Sequence, residues 1–269
     1  MGDAVAAMNV DPFILAALFT MSEPTFPPHP HAGFIVATYM LPESPIGFVN
    51  QDSTGLVNQI EPGAIHFTVA GSGTLHEEQP ERAGPIASGF QIWVDLPNDR
   101  RDIAPYAVSL AADAVPIARA AGVEIRVLAG SSNGLRAPID LPTPLRIVDL
   151  TLNAGGSFTQ ELEPGENAFL IMHAGDVLVA GEHVEAGQLV RTDCAGGDLN
   201  VTAGERPARL TLFAGMPLSQ RREMAGPIVA RDGPSLRDLM ARARRGGFGT
   251  LIPFAVKAAP LTHNKAAIQ

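Results

Sequence analysis

Two short pairs of potential metal ligands, which lie 45 residues apart, constrain this chain more than any other feature. The first pair is His29 and His31 in the run His-Pro-His, and the second is His76 and Glu78 in the run His-Glu-Glu. On a β-strand, residues i and i+2 point to the same face, so each pair can present both side chains to one barrel interior. Two such strands would bring four ligands to one point, and three imidazoles with one carboxylate suit a divalent transition metal. The pattern therefore predicts one metal site built from all four residues.

The sequence around these pairs favours short strands and tight turns. Glycine contributes 27 residues and proline 23, whereas charged residues make up only 17% of the chain. Glu61-Pro62-Gly63 and Gly71-Ser72-Gly73 have the composition of turns, as a small β-barrel requires if it is to bring distant strands together. Either ligand pair alone is a weak indication, because two histidines this close also occur by chance. The joint pattern is more specific, and we expect an all-β fold.

Composition excludes several classes of function. The chain has 269 residues, 46% of them hydrophobic, and a formal net charge of −9. Because it has no long basic run, we expect no direct contact with nucleic acid. The apolar run at 13–21 is too short to span a bilayer, and residues 1–10 lack the basic start of a signal peptide. The single cysteine excludes an internal disulfide framework. We therefore expect a cytoplasmic protein without a membrane segment.

Strand and turn signals continue through the second half of the chain, and we place a domain boundary near residue 112. The first domain is expected to be a metal-binding barrel over residues 1–112, and the second a barrel over residues 113–269. The second half lacks the paired ligands, since His173 and His183 stand ten residues apart with no partner two positions away. We expect one metal ion per chain, held by the first barrel.

The clearest helical signal lies near the end of the chain, over residues 235–245. Apolar residues recur there at helical spacing, and two glycines follow. Ser235 with Asp238 three residues later resembles a capping box, which predicts that the helix begins at Ser235. We expect residues 258–269 to form a loose tail.

Several motifs, taken together, resemble the pirin family in their order and approximate spacing. They are Asp11-Pro12-Phe13, the runs 26–34 and 76–80, Gln51-Asp52-Ser53, and the runs 91–97 and 214–218. Pirins resemble two cupin barrels fused in one chain. The resemblance therefore implies a bicupin, with two cupin-type β-barrels and a short C-terminal helix. It also implies that the two ligand pairs hold the metal and that the metal is iron, whereas the ligand chemistry alone leaves Mn, Ni, Cu, Co and Zn open.

The chain departs from the usual pirin pattern close to these ligands. Pirins usually carry Arg after the second ligand histidine and Glu three residues further on, where this chain has Ala32 and Ile35. The usual Gln-Trp-Met before the Ala-Gly turn is His66-Phe67-Thr68, and the histidine often found before Asp-Ser is absent. Because groups around the ligands tune a metal centre, these replacements bear on the substrate and on any regulatory surface.

The resemblance implies an iron-dependent dioxygenase of the quercetinase type, which opens a flavonol or a related enol-bearing aromatic with O₂. In such an enzyme the histidines would hold Fe(II), and the metal would stabilise the substrate enolate as a Lewis acid. Glu78 can also accept a proton, which makes it the candidate general base for the substrate hydroxyl.

Three apolar residues of the first half are candidates for the substrate pocket: Phe34, Met40 and Phe67. Each could face the cavity or could be ordinary core. His66 could line the mouth of the pocket or could be a partly buried structural histidine.

Two other functions stay open at this point. The first is a metal-binding regulatory protein without turnover, which would contact an enzyme or a transcription factor and use its metal as a redox switch. The resemblance allows this, because pirins have also been assigned such roles. The second is a zinc or manganese isomerase on a cupin scaffold, since a fold does not fix a function.

Overall fold

The computed structural model describes residues 6–120, 122–193 and 195–254, and these residues form two β-barrels in sequence. Each barrel has one six-stranded and one four-stranded sheet. In the first barrel the larger sheet has the order β1-β2-β9-β4-β7-β10 and the smaller sheet the order β3-β8-β5-β6. These strands are β1 (Ala6–Val10), β2 (Phe13–Met21), β3 (His29–His31), β4 (Phe34–Met40), β5 (Phe48–Asp52), β6 (Val57–Ile60), β7 (Ile65–Val69), β8 (Thr74–Pro80), β9 (Ala87–Asp95) and β10 (Tyr106–Leu110).

The second barrel repeats this plan. Its larger sheet has the order β11-β12-β15-β22-β17-β20, its smaller sheet has the order β16-β21-β18-β19, and β13 and β14 form a separate hairpin. The strands are β11 (Ile117–Ala120), β12 (Val123–Ala129), β13 (Ser131–Ser132), β14 (Leu135–Arg136), β15 (Arg146–Leu152), β16 (Ser157–Leu162), β17 (Asn167–Ala174), β18 (Asp176–Val179), β19 (Glu182–Glu185), β20 (Leu189–Arg191), β21 (Gly197–Ala203) and β22 (Ala208–Gly215). The prediction of two β-barrels is thus confirmed. The boundary predicted near residue 112 falls in the link between β10 and β11.

Strand β4 lies between the interior of the first barrel and the second barrel. All seven of its residues are buried, because one face packs on the second barrel and the other faces the interior of its own barrel. Ile35 and Tyr39 belong to the apolar cluster between the barrels. Phe34 and Thr38, on the alternate face, point into the first barrel.

The two six-stranded sheets pack face to face, so that one apolar cluster joins the barrels. The ring of Phe13 meets the ring of Phe169 edge-on at 5.3 Å, and Phe169 stacks on Phe213 at 4.8 Å. Aromatic pairs of this kind add about 0.5–1.5 kcal/mol to the free energy gained by burial. The shared core therefore holds the two barrels together.

A buried polar group crosses the same interface. The hydroxyl of Tyr39 donates to Oδ2 of Asp149 at 2.8 Å, and Arg209 forms an ion pair with the same oxygen at 2.9 Å. The hydroxyl of Thr211 donates to Oδ1 of Asp149 at 3.3 Å. Asp149 is fully buried, and both of its oxygens have donors, which is the condition under which a protein interior tolerates a charge.

The chain returns to the first barrel after the second barrel is complete. A hairpin of β23 (Glu223–Ala225) and β24 (Ile228–Ala230) leads into helix α1 (Gly233–Arg244). Ile228 forms a β-bridge with Ala32, directly after β3, and the apolar face of α1 packs on the same point. Residues that we assigned to the second domain thus cover one end of the strand that carries His29 and His31.

The structure confirms the C-terminal helix but corrects its start. Asp232 is the N-cap, and its side chain accepts a hydrogen bond from the backbone N–H of Ser235 at 2.8 Å. Pro234 lies in the first turn. A backbone N–H at this position would have no acceptor within the helix, so proline, which lacks an N–H, loses no hydrogen bond there. The capping box expected from Ser235 and Asp238 is therefore wrong, and the helix begins two residues earlier.

Helix α1 has 12 residues, and no helix in the described part of the chain has the length and apolar character needed to cross a bilayer. The tail expected over residues 258–269 lies outside the described residues.

Candidate metal centre

Strands β3 and β8 pair antiparallel and bring the three histidines together. His29 lies directly opposite His76 in the register, and His31 lies opposite Thr74. His29 and His31 share one face of β3 because they are two residues apart. Pro30 between them cannot donate a ladder hydrogen bond, which is tolerated because β3 is the edge strand of its sheet.

The ring nitrogens of these histidines converge. Nε2 of His31 lies 2.8 Å from Nε2 of His76, which in turn lies 3.2 Å from Nε2 of His29. The three potential ligand atoms all lie within 4.8 Å of one another. Two metal–nitrogen bonds of about 2.1 Å at right angles would place neighbouring nitrogens about 3.0 Å apart. The observed distances therefore match those between adjacent ligands of one ion.

The protonation of the three rings also fits a metal ion. Burial, reinforced by the neighbouring imidazoles, holds the pKa of His31 and of His76 well below 6.5, and burial also lowers the pKa of His29. Nδ1 of His29 lies 3.0 Å from the carbonyl oxygen of Pro27, to which it donates as an N–H, so the neutral ring keeps a lone pair on Nε2. If His31 and His76 also carry their proton on Nδ1, three Nε2 lone pairs face one point, where a divalent metal ion would bind them.

In the part of the chain that the structure describes, the other two rings of the group lack the second hydrogen bond that His29 makes and that a metal-ligating histidine usually makes. The Nδ1 atoms of His31 and His76 are buried and have no hydrogen-bond partner within the described ranges. The polar contacts of both rings are thus concentrated on Nε2, where the three histidines meet.

Glu78 lies on β8 two residues after His76, but its carboxylate is outside the group formed by the three histidines. Its Oε2 instead accepts a hydrogen bond from the hydroxyl of Thr38 on β4. Burial raises the pKa of Glu78 from 4.5 to about 7, and the Thr38 hydroxyl lowers it in part. The structure therefore brings together three of the four residues predicted from the sequence, and Thr38 is a neighbour that the sequence did not reveal.

His66 is an interior residue, because only 1% of its surface is exposed. Its Nδ1 lies 2.8 Å from the hydroxyl of Ser109, and its Nε2 lies 3.2 Å from the hydroxyl of Thr68. Burial lowers its pKa to about 4, against the opposing effect of the Asp52 carboxylate. His66 is thus a hydrogen-bonded buried histidine, and it does not belong to the three-histidine group.

An aromatic pair adjoins the three histidines. The ring of Phe34 lies 5.3 Å from that of His31 and 5.0 Å from that of Trp93. Trp93 also contacts His31, with ring centroids 6.0 Å apart. Phe34 was one of the candidates for the substrate pocket, whereas Trp93 was missed. The sequence offered two signals for this residue. Trp93 is the only tryptophan of the chain, and it lies two residues after Gln91 on β9, so that both side chains are on the same face.

The other two residues proposed for the pocket lie elsewhere. Met40 is fully buried in a separate apolar cluster. Phe67 belongs to the cluster between the barrels, because alternate residues of β7 point away from the interior of the first barrel. Phe67 is therefore a core residue in this structure, which is one of the two roles that the sequence left open.

Ala32 and Ile35 are both fully buried. Ala32 packs against Ile228 and Phe248 of the C-terminal segment, and Ile35 lies in the core between the barrels. Apolar residues at both positions suit these surroundings, because a charged side chain there would lose its hydration.

Comparison with known proteins agrees with this architecture. A family model described as Pirin matches residues 2–94, and one described as Pirin C-terminal cupin domain matches residues 147–249. Pirin-1 of Arabidopsis thaliana is 32% identical over 228 residues, which cover 82% of this chain and 77% of that protein. The chain belongs to the pirin family. A pirin-like protein of Solanum lycopersicum is 33% identical over 82% of this chain and 76% of its own length. The fold is accordingly a bicupin.

Solved structures show the same arrangement of two barrels. Quercetin 2,3-dioxygenase from Acinetobacter baumannii superimposes with a TM-score of 0.82 at 25% identity, covering 90% of this chain and 88% of that one. A bacterial pirin from Escherichia coli in complex with nickel(II) superimposes with a TM-score of 0.61 at 16% identity, covering 77% and 83% of the two chains. At that identity the second comparison shows the fold alone.

Proposed function

We propose that this pirin-family protein is an iron-dependent dioxygenase of the quercetinase type, which opens a flavonol or a related enol-bearing aromatic with O₂. The observation that carries the proposal is the convergence of the three Nε2 atoms of His29, His31 and His76 inside a barrel. The similarity to a quercetin 2,3-dioxygenase over 90% of the chain supports the choice of reaction. A cytoplasmic location stays a prediction.

The three histidines would hold the metal, for which we propose Fe(II). When bound, this ion would supply a Lewis acid for the enolate of the substrate and a redox centre for O₂. Glu78, whose Oε2 accepts the hydrogen bond of Thr38 in this structure, would be the fourth ligand.

Glu78 is the proposed general base. A base works best when its pKa lies near the operating pH, and burial raises the pKa of Glu78 to about 7. Its Oε2, which now accepts the hydrogen bond of Thr38, would take the proton of the substrate 3-hydroxyl. Phe34 and Trp93, beside His31, would exclude water from that side of the reacting ring.

The test compares four forms of the protein under one protocol. Wild type, His31→Ala, Glu78→Gln and His183→Ala are loaded anaerobically with Fe(II) and given quercetin, and O₂ is then admitted. We expect wild type to consume O₂ and bleach the flavonol, His31→Ala to do neither, and Glu78→Gln to be at least about 100-fold slower because it lacks the base. His183→Ala is the matched control, because His183 is an exposed histidine of the second barrel, and it should behave as wild type.

Two outcomes would contradict the proposal. Wild type that binds iron but leaves quercetin unbleached in air would favour the regulatory function. Wild type loaded with Zn²⁺ that bleaches quercetin equally fast would exclude redox chemistry at the centre, because zinc has none.

A further inference from the structure

Strand β3, which carries His29 and His31, has little support within its own sheet. It has three residues, lies at the edge of the sheet and has β8 as its one neighbour among the described strands of that sheet. Its middle residue, Pro30, has no N–H to donate to that neighbour. Because so short a pairing provides few hydrogen bonds, the position of the two histidines depends on what packs against the end of the strand.

The ring of Phe248, a residue that is 4% exposed, lies where the two ligand strands meet. On the side of β3, Ala32 directly follows His31 and packs against Phe248 in one apolar cluster. On the side of β8, Gly73 directly precedes Thr74, which lies opposite His31 in the register. A Cβ added to Gly73 would lie 2.2 Å from the ring of Phe248, so the ring lies directly against that backbone. One buried ring thus contacts the ends of both strands.

The backbone of Phe248 is connected to the same place. Its carbonyl oxygen accepts a hydrogen bond from the hydroxyl of Ser53 at 2.6 Å. The hydroxyl oxygen of Ser53 in turn accepts a hydrogen bond from the backbone N–H of Leu75 at 3.0 Å. Leu75 directly precedes His76 on β8. Two successive hydrogen bonds therefore link Phe248 to the strand that carries the third histidine.

Helix α1 fixes Phe248 from the outer side. The guanidinium carbon of Arg242, in the last turn of the helix, lies 5.2 Å from the centre of the Phe248 ring, which is a cation–π distance. Nε of Arg242 donates to the carbonyl oxygen of Gly247 at 3.2 Å, and the backbone N–H of Gly247 donates to the carbonyl oxygen of Arg242 at 2.9 Å. The end of the helix thus presents Phe248 to β3 and β8 in a fixed orientation.

We propose that Phe248 is a positioning residue of the metal centre, which keeps β3 and β8 in the pairing that brings His31 and His76 together. Its ring acts through Ala32 and Gly73, which adjoin the two ligand strands. A metal site binds its ion tightly only when the residues around the ligands hold them in place. This inference rests on the metal centre of the proposed function and is independent of the reaction that takes place there.

The test compares Phe248→Leu with the matched control Phe158→Leu. Both residues are buried phenylalanines of apolar clusters, but Phe158 belongs to the core of the second barrel. Both substitutions should lower the urea concentration at which the protein unfolds, because each removes buried apolar volume. The dissociation constant for Fe(II), measured anaerobically by competition with a coloured chelator, should rise at least about tenfold in Phe248→Leu and stay at the wild-type value in Phe158→Leu.

Ser53→Ala tests the same connection without a change in the apolar core. It removes the hydroxyl that links Phe248 to Leu75, and it should also weaken Fe(II) binding. Ser44→Ala is its matched control. The hydroxyl of Ser44, also in the first barrel, donates to one backbone carbonyl and accepts from one backbone N–H, as that of Ser53 does. Ser44→Ala should bind Fe(II) as tightly as wild type.

A second measurement requires no metal. Exchange of backbone amide hydrogens in the metal-free proteins, followed by mass spectrometry, reports local opening of the ladder between β3 and β8. Peptides that cover residues 28–34 and 73–79 should exchange faster in Phe248→Leu than in wild type. Peptides of β16 and β21 should be unchanged in that variant and should exchange faster in Phe158→Leu.

The outcomes separate this proposal from the proposed function. Folded Phe248→Leu that binds Fe(II) as tightly as wild type, or that leaves exchange in β3 and β8 unchanged, would overturn the positioning role. An equal loss of affinity in Phe158→Leu would also overturn it, because affinity would then follow overall stability. Wild type that binds no metal would refute the metal centre and this role with it. Fe(II) binding that depends on Phe248, without bleaching of quercetin, would support the positioning role and refute the dioxygenase activity alone.

Discussion

Replacing Glu78 with Gln should change how the stability of the metal-free protein depends on pH. The pKa of Glu78 is raised from 4.5 to about 7 because the carboxyl group is buried. The folded protein therefore holds this proton more tightly than the unfolded chain does. The stabilisation is complete below pH 4.5, where both states are protonated, and it is lost as the pH rises through about 7. Each tenfold change in proton affinity corresponds to about 1.4 kcal/mol, so the free energy of unfolding should fall by about 3 kcal/mol over this pH range.

The comparison of wild type with Glu78→Gln isolates this effect from that of the histidines. His29, His31 and His76 have lowered pKa values, so their contribution acts in the opposite sense and is lost as the pH falls below 6.5. Because both proteins contain these histidines, their contribution cancels in the difference. Gln is close to Glu in size and keeps an oxygen that can accept the hydrogen bond of Thr38.

The assay is urea unfolding of both proteins at intervals between pH 4 and pH 8, with a chelator present. As the pH rises, the free energy of unfolding of Glu78→Gln should increase relative to that of wild type, by about 3 kcal/mol in total. Most of this change should occur between pH 4.5 and pH 7. Thr38→Val provides a second check, because loss of its hydroxyl should raise the pKa of Glu78 further and move the change to higher pH. Parallel pH profiles for wild type and Glu78→Gln would refute the assignment of a buried, proton-retaining Glu78.

Three further predictions concern stability and metal binding. Tyr39→Phe should lower the free energy of unfolding by about 1–3 kcal/mol, because buried Asp149 loses a donor; chemical denaturation measures this, and metal content should not change. Gly73→Ala should lower the free energy of unfolding by more than about 1 kcal/mol in the same assay. The residue has φ +125°, and a Cβ there would lie 2.2 Å from the ring of Phe248. A variant as stable as wild type would contradict this packing. Addition of a chelator should lower the melting temperature of the iron-loaded wild type but leave that of His31→Ala unchanged, because a ligand that binds only the folded state stabilises it.

Sequence reasoning located the three histidines because their geometry is local. A spacing of two residues on a strand fixes the shared face, and the turns between the pairs made pairing of β3 with β8 plausible. The same reasoning could not find the partner of Glu78. Thr38 lies 40 residues away, on a strand of the opposite sheet, and its contact depends on how the barrel closes.

The two roles left open for Phe67 could not be separated from the sequence for a related reason. Alternation along a strand tells which residues share a face, but it identifies the interior only when the other face is polar. Strands β4 and β7 are buried throughout, so Phe34 and Phe67 were equally plausible pocket residues until the second barrel was placed. The return of the C-terminal segment to Ala32 likewise depends on contacts between residues nearly 200 positions apart.

Elemental analysis of the purified protein tests the central claim most directly. Wild type, His31→Ala and His183→Ala are reconstituted with Fe(II) under identical conditions, and the bound metal is measured after gel filtration. Convergence of the three histidines predicts one equivalent of metal in wild type and in His183→Ala, and almost none in His31→Ala. Wild type that retains no metal, or His31→Ala that retains as much as wild type, would contradict the assignment of these residues as the metal centre.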